Sequence, residues 1–164
     1  MKILRVKTAT EPPSTSVEFV VRNDSAAPAW LVSDHWLIWR QTGRQVELSF
    51  QRGVMRPGSQ VFGYFSPKVE KIAPGNSYRL KTELTWPQPL DLLWNSSEQA
   101  APPPGLYQVS VRVGYGLTAE PESPKLGEAI EAPVLRWQKE AVSPPVSMEV
   151  PAYPSPSNNP GAEI

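Results

Sequence analysis

His35 is the only histidine of the chain and it follows Asp34, so an acid and an imidazole are sequence neighbours at one point. A serine–histidine–aspartate hydrolase also needs a nucleophile on a strained turn and an oxyanion hole. No Gly-x-Ser-x-Gly occurs. Neighbours on a strand point to opposite faces, which places Asp34 badly for orienting His35. One histidine and no cysteine exclude multi-histidine metal sites, thiolate sites, iron–sulfur clusters, disulfides and cysteine nucleophiles. Glu120, Glu122 and Glu128 lack the Asp-x-Asp-x-Asp spacing of a calcium loop. The glycines follow prolines instead of clustering before a helix, so no phosphate loop is expected. The expectation is a protein that is not an enzyme and carries no cofactor or metal.

The tryptophans point elsewhere. Trp30, Trp36 and Trp39 fall close together, and a strand over His35–Arg40 would put Trp36 and Ile38 on one face and Leu37 and Trp39 on the other. Both faces of that strand are then apolar. One meets the core; the other is covered by a loop, by the N-terminal strand or by a partner. Tryptophan, tyrosine and arginine dominate binding hot spots, and Arg40, Arg44 and Arg52 lie nearby. The expected partner-binding residues are Trp36, Trp39, Arg40 and Arg44. The partner expected is another protein. The alternative is a carbohydrate-binding module using exposed tryptophans.

The elements that would position these residues have a period of two. Tyr78, Leu80, Thr82, Leu84 and Trp86 share one face of a strand whose other face is charged or polar. Tyr107, Val109, Val111, Val113 and Tyr115 repeat the pattern, as do Val17, Phe19 and Val21. His35–Arg40 and Gln45–Gln51 flank Gln41-Thr42-Gly43-Arg44, a short hairpin connection. Weaker strands are expected at Ile3–Thr8, Val61–Phe65, Val134–Glu140 and Val146–Val150. No helix is expected beyond one turn at Leu90–Trp94. Pro57-Gly58, Pro74-Gly75 and Pro104-Gly105 mark turns ahead of strands. Their unequal spacing excludes a repeat architecture. Eight or nine such strands indicate an all-β, antiparallel sandwich over residues 1–150. Residues 151–164, rich in proline and poor in aliphatic side chains, read as a disordered tail.

Composition supports that reading. Twenty prolines in 164 residues are about 12%, against a typical ~5%, and long helices do not survive that density. The charges balance at 16 against 16, so nucleic acid is not an expected partner. Along the chain they are uneven. Residues 120–164 carry seven acidic and three basic side chains. Glu120, Glu122, Glu128 and Glu131 therefore read as a solvated loop, or as a flap for the basic N-terminal part or for a basic partner. The N-terminus has no apolar run behind its first charge, unlike a secretory signal. No segment approaches the ~18 apolar residues of a membrane helix. The chain as written reads as cytoplasmic, with no membrane insertion, and as exported if a signal has been lost. Asn23-Asp24-Ser25 and Asn95-Ser96-Ser97 match the glycosylation acceptor pattern, which arises often by chance.

Several of these segments together carry a resemblance. Ile72-Ala73-Pro74-Gly75-Asn76-Ser77 leads into an alternating strand, and Pro104-Gly105-Leu106-Tyr107-Gln108-Val109 opens another. Trp137–Ser143 is followed by Pro145-Val146-Ser147-Met148-Glu149-Val150, and Asn23 leads through Pro28 to Trp30. The set resembles bacterial immunoglobulin-like β-sandwich domains, with a look of the intracellular proteinase inhibitor family. The resemblance implies an immunoglobulin-like or fibronectin type III-like sandwich. No reactive-loop motif is present to carry inhibitory residues over. The functional expectation is a non-catalytic protein-interaction module, an accessory subunit or a protease-inhibitor-like binder.

Overall fold

The computed structural model describes residues 1–33, 38–51, 67–87 and 101–154. Alternating strands dominate, as the period of two predicts. In chain order they are β1 (Lys2–Glu11), β2 (Ser14–Arg22), β3 (Ala29–Val32), β4 (Ile38–Thr42), β5 (Gln45–Phe50), β6 (Val69–Ile72), β7 (Ser77–Thr85) and β8 (Gly105–Gly116). A short helix α1 (Ala132–Trp137) then precedes β9 (Lys139–Val142) and β10 (Val146–Val150). The first sheet has the order β1-β2-β7, and the second runs β4-β5-β8-β3-β6 with β9 and β10 also on β8.

β8 organises the second sheet. Val109 pairs with Val46 of β5 and with Val146 of β10. Tyr115 pairs with Leu31 of β3 and with Lys139 of β9. β5 and β3 therefore share one edge of β8, while β9 and β10 share the other. The Ser143-Pro144-Pro145 step between β9 and β10 is stitched to β8: Ser143 N–H donates to Val111 O and Val111 N–H donates to Ser143 Oγ, both at 2.8 Å.

The two sheets pack face to face through the residues that alternation turns inward. Phe19 of β2 meets Phe50 of β5 with ring centroids 5.0 Å apart. Trp86, just beyond β7, stands edge-on to Trp39 of β4 at 5.9 Å, and Trp39 is edge-on to Tyr107 of β8 at 6.5 Å. Trp86, Tyr107, Val109 and Val111 are all buried, as their shared parity requires. The indole N–H of Trp86 donates to the buried Thr15 Oγ1 at 3.0 Å, and that hydroxyl donates to Glu149 O at 2.7 Å. A core tryptophan thus has its polar atom satisfied. Along the side of the sandwich, Thr8 Oγ1 donates to Ser147 O at 2.7 Å and Thr10 Oγ1 to Glu149 O at 3.2 Å, tying β1 to β10.

The Pro74-Gly75 turn is built as expected. Asn76 N–H donates to Ala73 O at 3.0 Å, with Gly75 at φ 78° in the left-handed position that a type II turn requires. Asn23 lies against this turn. It is fully buried, and its amide nitrogen donates to Ala27 O at 2.8 Å and Ile72 O at 2.9 Å. An asparagine held this way presents no amide to a glycosyl transferase in the folded chain. The second acceptor pattern, at Asn95, lies outside the described residues.

Three expectations are corrected. β5 and β8 run parallel, so the sandwich is all-β but not antiparallel throughout. A hairpin orients β5 against β4, and β8 reaches it only from far along the chain, so local alternation cannot fix their mutual direction. Val134–Glu140 is not one strand: Ala132–Trp137 is helical and only Lys139–Val142 pairs with β8. Pro133 sits in the first turn, where its missing N–H costs nothing. The strand placed at His35–Arg40 is described only from Ile38, and residues 34–37 lie outside the described residues, as do 57–58, 61–65 and 90–94. Finally, the chain does not leave the sandwich at residue 151. Pro151 is buried, and Tyr153 packs on the core with its hydroxyl donating to Pro102 O at 2.6 Å. An aromatic ring with a reachable carbonyl outweighs the polyproline character of its neighbours.

Candidate functional site

The hairpin expected to carry the binding surface does form, joined by Gly43-Arg44. Gly43 has φ 60°, and among the described residues no non-glycine has a positive φ, the pattern of a two-residue turn that matches strand twist. Alternation sends its residues to two faces. Trp39 points inward and is wholly buried, its indole N–H donating to Gln41 Oε1 at 3.1 Å. Trp39 is therefore a core residue and not a partner anchor: two large aromatics, Trp86 and Tyr107, complete its cover from inside the chain. Trp36 and His35 lie outside the described residues.

Arg40 points the other way, directly opposite Glu47, and donates to it at 3.3 Å. The parallel register of β5 on β8 sets Ser49 beside Arg112, so Arg112 reaches Glu47 on the diagonal. Its guanidinium grips that carboxylate with two bonds, Nε to Oε1 and Nη2 to Oε2, each 2.9 Å. Nη1 of Arg112 also donates to Glu140, which β9 delivers from the far edge. Arg40, Glu47, Arg112 and Glu140 thus alternate in sign across four strands. A bidentate arginine–carboxylate pair is stronger than a single ion contact. The Arg112 bond is the main cause that holds the Glu47 carboxyl below its ordinary range, with Arg40 adding to it and burial opposing.

Arg40, Glu47 and Arg112 of this row line a groove of about 550 Å³ on the outer face of the second sheet, and Glu140 stands outside its lining. Thr42, Gln45, Gln108 and Ser110 supply hydroxyl and amide groups to it, and Val142 and Pro145 form an apolar border. Arg44, the remaining expected residue, does not line the groove. Its guanidinium lies over the Tyr107 ring, 4.7 Å from the centroid, and donates to Pro104 O at 3.4 Å. Of the three expected binding residues that are described, Arg40 lines this groove, while Trp39 and Arg44 do not. Glu47, Arg112 and Glu140 were outside that expectation. Arg112 has the outward parity of β8, a signal legible in the sequence, but the strands that flank it are not.

The sign of the pH effect follows from the Glu47 shift. A carboxyl whose folded pKa is depressed adds stability that is full above its ordinary value of 4.5 and is lost as pH falls through the folded one. Melting temperature is expected to decline below about pH 4.5, with Glu47→Gln removing part of that decline. Identical acid profiles for the two proteins would show that the pair contributes nothing to stability.

The acidic residues fold locally. Glu128 accepts from Lys125 N–H at 2.9 Å and pairs with Arg136, not with the N-terminal strands. Among the described residues no three histidine or acidic side chains converge to hold a metal ion. No helix there is long and apolar enough to cross a membrane. Comparison with family models, with curated proteins and with solved structures finds no match for this chain.

Proposed function

We propose that this chain is a non-catalytic protein-interaction module of immunoglobulin-like type, an accessory subunit or inhibitor-like binder. Its partner-binding face is the groove lined by Arg40, Glu47 and Arg112. The observation that carries the reading is that groove: a trough with charges of alternating sign from Arg40, Glu47 and Arg112 and an apolar border, on the outer face of the second sheet. Fixed charges of both signs on one face set register and specificity for a polypeptide partner more than they add affinity. The immunoglobulin-like assignment is supported by Tyr107 at the start of β8, whose hydroxyl donates to Pro103 O at 2.5 Å. A tyrosine bonded back to the chain a few residues upstream is a corner found in such sandwiches. The parallel β5–β8 pair departs from their usual pattern. The carbohydrate alternative loses its described ring, since Trp39 is in the core.

Ser110 lines the groove on the outward side of β8. Ser110→Trp is expected to fill it while leaving the core untouched. Wild type and variant are to be used as baits in extracts of the native host, with proteins quantified by mass spectrometry and melting temperatures compared. A protein retained by wild type should bind the variant at least about tenfold less, a loss of ~1.4 kcal/mol, at an unchanged melting temperature. Equal retention of every recovered protein removes this face from consideration.

A further inference from the structure

A second groove, of about 520 Å³, shares no residue with the first. It lies between the segment Thr118–Glu122 and α1, lined by Thr118, Glu120, Pro121, Glu122, Pro133, Arg136 and Trp137. Its geometry is set by two glycines of β8. A Cβ on Gly116 would fall inside the Trp137 indole, and one on Gly114 would collide with the Gln138 side chain. Only bare backbone there lets α1 lie down on the sheet. The indole N–H of Trp137 is engaged with Thr118 O and Oγ1, both at 3.0 Å. That fixes the ring and turns its polar edge into the loop. The tryptophan stays half-buried and lines the groove beside two buried prolines, Pro121 and Pro133.

The charges of the lining do not cancel. Arg136, its one cation, is pinned to Glu128 by both terminal guanidinium nitrogens, Nη1 and Nη2. Glu120 and Glu122 are exposed and enter no ion pair among the described residues. The groove therefore offers a fixed indole, proline walls and two exposed carboxylates outside any salt bridge, of which Glu122 also lies within the field of Arg136. Proline-rich segments dock in aromatic-lined grooves in an extended form that costs little entropy. A guanidinium is attracted by an indole face and by carboxylates alike. We propose that this groove binds an arginine-bearing, proline-rich segment of a partner protein, with the prolines against Trp137, Pro121 and Pro133 and the guanidinium at Glu120 and Glu122. The assignment is independent of the first groove.

The test uses the full chain and the peptide acetyl-Pro-Pro-Arg-Pro-Pro-amide, with an otherwise identical peptide carrying neutral citrulline in place of arginine. The readout is the Trp137 indole N–H resonance in nitrogen-15 spectra, assigned by its loss in Trp137→Phe. The arginine peptide should shift that resonance saturably, at least tenfold more tightly than the citrulline peptide, and less tightly as salt rises. The double variant Glu120→Gln/Glu122→Gln should weaken binding at least fivefold at an unchanged melting temperature, while Ser110→Trp should leave it unaltered. No saturable shift at millimolar peptide overturns the proposal. So does equal binding of the citrulline peptide, which would make this a proline groove without charge selection. The two wild-type titrations decide the matter even if the double variant fails to fold.

Discussion

Trp39→Ala is expected to lose about 3–5 kcal/mol of folding stability, the cost of deleting a large core aromatic. The ring is fully buried between Trp86 and Tyr107, in two edge-on contacts, and no neighbour can collapse into so large a void without disturbing both. A domain with the usual stability of ~5–15 kcal/mol would keep little of it. Urea unfolding followed by circular dichroism gives the value directly, and a loss below about 1 kcal/mol would contradict the core placement. Any loss of partner binding by this variant would therefore report unfolding, and Arg40→Ala is the informative change on the same strand. Arg40 is about half exposed, with a side-chain exposure of 49%, so its removal tests the surface without opening the core.

Asn23→Ala is expected to cost about 3 kcal/mol, since unsatisfied buried groups cost ~1–3 kcal/mol each. The side chain supplies donors to two carbonyls, Ala27 O and Ile72 O, and its Oδ1 accepts from Ser25 N–H at 3.1 Å and Ser25 Oγ at 2.7 Å. Its backbone joins the same knot: Asn23 N–H donates to Asn76 O at 3.0 Å and Gly75 N–H to Asn23 O at 2.8 Å. Alanine keeps the backbone bonds and removes the donor to Ile72 O and the acceptor of Ser25 N–H, while Ala27 O keeps its bond from Ser25 Oγ. Water can reach Ser25 but not Ile72 O, so relief is partial. Asn23→Asp is the sharper control, because it keeps the shape and turns the two donors into an acceptor facing carbonyls. A denaturation midpoint for Asn23→Asp equal to wild type would show that the amide donors do not matter.

What was legible in the sequence is what depends on one strand at a time. The inward parity of Val17, Phe19 and Val21, of Leu80 and Leu84, and of Tyr107 to Val113 is present in the burial of β2, β7 and β8. The turn at Gly43 and the turn at Pro74-Gly75 were legible for the same local reason. Pairings between distant strands were not. The parallel β5–β8 register decides that Arg112 meets Glu47, and nothing near either residue encodes it. Helix α1 was missed because Val134 and its neighbours satisfy a short strand pattern equally well. Its cause lies elsewhere, in the side-chain-free track of Gly114 and Gly116 that admits Trp137. Trp39 shows the complementary case. An apolar residue on each face of a strand left both internal cover and a partner surface open, and the aromatic volume that covers Trp39 was stored at Trp86 and Tyr107.

The crowding of β8 bears on the order in which the chain assembles. This strand takes neighbours from Ala29–Val32 and Gln45–Phe50 before it and from Lys139–Val142 and Val146–Val150 after it. Contacts so distant in sequence close large loops before they return any stabilisation, which makes folding slow compared with helical domains of similar size. During synthesis the ribosome releases β5 and β3 well before β8 exists, and β8 before its second edge is available. Until Val150 has emerged, one side of the longest strand presents unpaired N–H and C=O groups, the condition under which strands join neighbouring chains. Three threonine hydroxyls on β1 and β2 then bond to β10, so those early strands complete their contacts only when β10 has docked.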